Sequence, residues 1–102
     1  MIELTEHQQQ LTCQVLSDYL LPGEEVWVFG SRIKGTARQW SDLDLLIRGP
    51  EKLPVKRFYQ LQDAFEESEL DIRVDVLDWH RTSDAFLQTL EQQGMQRLPL
   101  TS

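Results

Sequence analysis

The run Asp42-Leu43-Asp44-Leu45-Leu46-Ile47 constrains this chain more than any other stretch. It reads as a β-strand, because alternation then puts Asp42 and Asp44 on one face and Leu43, Leu45 and Ile47 on the other. The apolar face demands a core. The polar face carries two like charges among leucines, where solvation alone explains them poorly. Both carboxylates point the same way and can reach one small divalent ion, and hard oxygen ligands of this kind suit Mg²⁺ or Mn²⁺.

Strands on either side follow from the same patterning. Glu25-Val26-Trp27-Val28-Phe29 has the β-branched and aromatic content of a short buried strand that Gly30 stops. In Asp71 to Leu77, the residues Ile72, Val74 and Val76 face one side and Asp71, Arg73 and Asp75 the other. Helices fill the gaps. Thr5 and Gln8 form a capping box for a helix to about Leu20, and one turn is expected from Ser31 to Thr36. Phe58, Leu61 and Phe65 give the stripe of a helix from Val55 to Glu67. A last helix, carrying Phe86, Leu87 and Leu90, is capped by Ser83 and closed by Gly94. The order αβαβαβα predicts an α/β (α+β) fold with a small three-stranded mixed sheet and about four helices. The tail from Met95, with Pro99, is expected on the surface or on a partner.

Gly30-Ser31 leaves a strand and enters a helical turn, so backbone N–H groups and a hydroxyl are offered to an anion at the positive end of a helix dipole. Alone, such a step is an ordinary turn. Eleven residues later comes the Asp-x-Asp pair, and Asp75 adds a third carboxylate on a neighbouring strand, able to position or deprotonate a hydroxyl. Asp75 could instead pair with Arg73 as a half-exposed strand residue. Arg32 and Lys34 flank the loop and can neutralise phosphate charge, although Lys34 and Arg38 read equally well as solvated cations. Gly35 suits close packing or a positive φ rather than ligand contact. Trp27 and Cys13 read as core, His7 and His80 as surface. Trp40 reads as packing, with a base or a partner surface as the alternative.

With 102 residues, 40% of them apolar and 26% charged, one folded domain over 1–102 is expected. A net charge of −7 disfavours direct nucleic-acid binding, which Lys and Arg drive, and suits a basic protein partner. One cysteine allows no internal disulfide, and no run approaches a membrane span. The opening residues have neither the basic nor the apolar region of a signal peptide, so a cytoplasmic location is expected.

Gly30-Ser31, Gly35, Ser41-Asp42-x-Asp44-Leu45 and Val74-Asp75 together resemble the motifs of the DNA polymerase beta type nucleotidyltransferase superfamily. The short chain is similar to its minimal nucleotidyltransferase (MNT) branch. That resemblance implies a nucleotidyltransferase-like fold in which Gly30 and Ser31, with Arg32 beside them, hold the triphosphate of ATP. It implies two Mg²⁺ ions on Asp42 and Asp44, one shared with Asp75, which assists the nucleophile; Mn²⁺ is the other candidate. The implied partner is a HEPN-domain ribonuclease toxin in a hetero-oligomer, neutralised by transfer of AMP from ATP. A non-catalytic nucleotide-binding antitoxin that acts by occlusion is the alternative, and a stand-alone small-molecule transferase a more distant one.

Overall fold

The capping box fixes where the chain first turns helical. In the computed structural model, which describes residues 2–38 and 41–100, Thr5 Oγ1 accepts the Gln8 N–H at 3.0 Å and Gln8 Oε1 accepts the Thr5 N–H at 3.0 Å. Helix α1 (Glu6–Tyr19) runs from that cap. It leads into strand β1 (Glu25–Phe29), the single turn α2 (Ser31–Lys34) and strand β2 (Leu43–Arg48). Helix α3 (Val55–Glu67) then crosses to strand β3 (Val74–Asp78). A 3₁₀ turn (Trp79–Arg81), helix α4 (Asp84–Gln93) and strand β4 (Gln96–Arg97) complete the order. No helix among the described residues is long and apolar enough to cross a membrane.

The sheet has four strands in the order β3-β2-β1-β4, one more than the sequence predicts. Strand β4 escapes sequence reading because two exposed residues carry no alternation. It is added by the backbone: Trp27 faces Arg97, Val28 faces Gln96, and the Leu98 N–H donates to the Val26 carbonyl at 2.8 Å. Gly94, at φ 103, provides the reversal out of α4 that brings it there. The tail expected on the surface thus becomes a sheet edge, with Leu98 only 1% exposed.

Period-two alternation divides the sheet into two unlike faces. Val26, Val28, Leu43, Leu45, Ile47, Val74 and Val76 point to one side and pack with Leu16 and Cys13 of α1 and Leu61 and Phe65 of α3. Arg57 locks these two helices together by donating to both carboxylate oxygens of Glu24, at 2.5 and 2.7 Å, and to the Tyr19 carbonyl at 3.0 Å. The second face is only partly covered. Leu87 and Leu90 of α4 lie against Phe29 and Leu46, with Trp27, Leu77 and Met95 around them. What α4 leaves open on this face is the row that carries the aspartates.

Because Leu98 is buried through the β4 pairing, Leu98→Ala should lower unfolding free energy by about 2–5 kcal/mol in urea denaturation. A loss well under 1 kcal/mol, on the order of a surface substitution, would mean that β4 is not a packed part of the sheet.

Candidate active site

Asp44 and Asp75 come together because β2 and β3 pair in parallel with these two residues in register. Strands in a sheet lie about 4.8 Å apart, and residues in register project to the same face. On the other side of β2, antiparallel pairing sets Phe29 opposite Asp44. One row of the open face therefore reads Asp75, Asp44, Phe29. Asp42 lies just before β2 and is exposed, whereas Asp44 and Asp75 are half-buried.

The turn after β1 is shaped around Asp44. Gly30 has φ 81 and ψ −152, and a Cβ built there would stand 2.5 Å from Asp44 Oδ2. Only glycine leaves room for the carboxylate against the loop. Ser31 starts α2 immediately afterwards, and Gly35, at φ 75, ends it in the left-handed conformation expected of it. Arg32 does not lie open to a phosphate as expected. It is 5% exposed, and its guanidinium donates to the carbonyls of Glu3 at 2.9 Å and Ser41 at 2.8 Å. Its geometry braces the loop, since five fixed N–H donors inside a protein must be met by acceptors. Lys34 remains at the surface, where Nζ donates to Gln93 Oε1 of α4 at 3.0 Å.

Other residues sort clearly. His7 and His80 are exposed, Cys13 is buried, and burial raises its thiol pKa. Trp40 lies outside the described residues. Asp78 was given no role by sequence reading, yet it is 3% exposed and holds together the far end of the sheet. It accepts the N–H groups of Leu53 at 2.9 Å and His80 at 3.1 Å and faces Arg81 Nε at 3.3 Å. Its place at a strand end before a short helical turn was the available signal. Phe86, one of the apolar residues the sequence places on α4, is 41% exposed. A cleft of about 280 Å³ opens beside Asp75, with Gln62, Phe65, Leu70 and Arg73 among its walls.

Electrostatics single out Asp44. Burial, then the charges of Asp75 and Asp42, push its pKa up from 3.8 to about 6. Asp75 has only a loose ion pair, 3.4 Å from Arg73, and both side chains are substantially exposed. Among the described residues no three acidic, imidazole or thiolate groups already stand at ligand spacing. The donor set still fits a hard divalent cation: two carboxylates share one row with a third at its edge, and the loose Arg73 contact offsets little of their repulsion. Linkage gives the sign of the consequence. The folded pKa of Asp44 lies above its unfolded value, so its contribution is fully favourable below about pH 4 and is lost as pH rises through about 6. In EDTA, Asp44→Asn should raise the thermal midpoint at pH 8, and that gain should vanish near pH 4. An equal effect at both pH values would contradict the origin assigned to the strain.

Comparison with known proteins identifies the family. The profile of the family described as "Polymerase beta, Nucleotidyltransferase" matches residues 22–96. A Haemophilus influenzae protein named "Probable protein adenylyltransferase MntA" is 47% identical over 73 residues, 72% of this chain and 64% of that protein. The match thus spans less than two thirds of its length. Among solved structures, a toxin–antitoxin with AMP-PNP superposes with TM-score 0.70 at 22% identity, over 92% of this chain and 74% of that one. A tri-AMPylated Shewanella oneidensis HEPN toxin in complex with MNT antitoxin gives TM-score 0.60 at 22% identity, over 91% and 73%. At that identity the two structures speak for the fold alone. The family match covers most of the chain, including the Gly30-Ser31 turn and all three aspartates: the chain belongs to the polymerase beta type nucleotidyltransferase family.

Proposed function

We propose that this chain is a Mg²⁺-dependent nucleotidyltransferase that moves AMP from ATP to a HEPN-domain protein and thereby neutralises a toxin. The observation that carries the reading is the pair Asp44 and Asp75, in register on the open face of the sheet beside a glycine that has no room for a side chain. The adenylyltransferase name of the Haemophilus relative supports AMP as the group moved, and the AMPylated HEPN toxin of the Shewanella complex supports the class of acceptor.

In this reading the N–H groups at the head of α2 and the Ser31 hydroxyl take phosphate oxygens of ATP, an arrangement that helix N-termini favour. Asp42 and Asp44, with Asp75, would hold Mg²⁺, which when bound supplies charge neutralisation for the triphosphate and the leaving group. Arg32 acts from beneath, keeping the loop's shape through Glu3 and Ser41. An acceptor hydroxyl approaches Asp75 from the open face of the sheet, and Asp75 orients it and receives its proton. The hydroxyl oxygen bonds to the α-phosphorus as the bond to the β-phosphate oxygen breaks. Pyrophosphate leaves, and AMP stays on the acceptor.

The test follows intact partner mass with wild type, Asp42→Asn and Asp75→Asn in ATP and Mg²⁺. Wild type should add AMP units, and Asp75→Asn should slow transfer by about 10²-fold or more while ATP binding falls less. Asp42→Asn should weaken both. If the partner's mass never changes and both variants still neutralise it, occlusion replaces catalysis as the function.

A further inference from the structure

We infer that Phe86 is the stacking platform for the base of the nucleoside triphosphate, an inference that rests on the nucleotide site proposed above. Phe86 lies in the first turn of α4, where Leu87 and Leu90 take the inward positions at 7% and 3% exposed. A single exposed apolar residue is ordinary on a protein surface. Here its location decides the matter. The Phe86 ring stands 6.4 Å from the ring of Phe29 at an interplanar angle of 84°, an edge-to-face contact. Phe29 is the register partner of Asp44 and the residue before Gly30. The exposed ring thus belongs to the same face and the same end of the sheet as the carboxylate row and the phosphate loop.

Two further features hold it there. Phe29, 9% exposed, backs the ring from the packed side of the sheet. Gln93, two turns along α4, accepts from Lys34 Nζ at 3.0 Å, which ties the helix to α2 and makes it a wall along the loop. A nucleoside triphosphate held by its phosphates at Gly30 and Ser31 has a planar, apolar-faced base to place against some surface nearby. Among the described residues of the loop, Ile33 packs against the core and the others are small or charged, whereas Phe86 offers a rigid aromatic ring. Stacking is tolerant of base identity, because every base has a π-face. ATP and GTP should therefore depend on this ring alike.

The experiment is calorimetric titration of the whole chain with ATP, GTP and inorganic tripolyphosphate in Mg²⁺, using wild type, Phe86→Ala and Phe86→Trp. Phe86→Ala should raise the Kd for both nucleotides by about 5- to 100-fold and leave tripolyphosphate unchanged, as loss of one stacked base predicts. Phe86→Trp should retain or tighten nucleotide binding. Nucleotide affinities unchanged in Phe86→Ala overturn the inference, and so does an equal loss for tripolyphosphate, which would mean a disturbed loop. Weakened binding of the HEPN partner with nucleotide affinity intact also overturns it, making the ring a protein-docking residue. If wild type binds neither ATP nor tripolyphosphate, the nucleotide site itself is wrong and this inference falls with it. Wild-type ATP binding that ignores Phe86→Ala sinks the stacking role alone.

Discussion

Parallel pairing of β2 with β3 sets two carboxylates side by side on one face of the sheet, and much of the architecture accommodates that like-charge contact. Parallel neighbours need a crossover, which α3 provides while burying Leu61 and Phe65 on the opposite face. The row next to the aspartates is apolar, since Leu46 and Leu77 sit one step along the strands, and α4 covers it. Asp44 is left at the boundary between this packed row and open solvent. Its charge is poorly solvated and opposed by two neighbours, which is why its pKa climbs to about 6. Such a position is costly for folding and suited to a cation.

The surrounding braces are polar. Arg32 draws the N-terminal segment and Ser41 around the Gly30-Ser31 turn, Asp78 gathers the loop before α3 and the turn after β3, and Arg57 of α3 reaches the Tyr19 carbonyl at the end of α1 and Glu24 before β1. Buried charges of this kind are supported only where their hydrogen bonds are met, and each meets backbone groups or a partner side chain. They hold the site's loops from outside the row of aspartates. Among the described residues, the row has no ion-pair partner other than the loose contact of Arg73 with Asp75.

Most of the scaffold was legible in the sequence because its signals are local. The capping box at Thr5 and Gln8, the strand Glu25–Phe29, the helix Val55–Glu67 and the caps Ser83 and Gly94 stand where pattern and turn chemistry place them. The alternation that separates Asp44 from Leu43, Leu45 and Ile47 also holds. What sequence could not convey is pairing at a distance. β4 has two residues and exists through β1, so no periodicity announces it. The inward turn of Arg32 depends on the carbonyls of Glu3 and Ser41, far apart along the chain. Phe86 shares a helical stripe with Leu90 but lands on Phe29 at the margin of the sheet, and its exposure follows from where α4 crosses.

The proposed function requires that the open row of carboxylates beside Gly30 bind a nucleoside triphosphate together with a divalent cation. Calorimetric titration with ATP in Mg²⁺ and again in EDTA addresses it directly. ATP should bind with Mg²⁺ and at least about tenfold more weakly without it, because the triphosphate and the aspartates otherwise repel each other. Equal affinity in both conditions would contradict a cation-bridged nucleotide site.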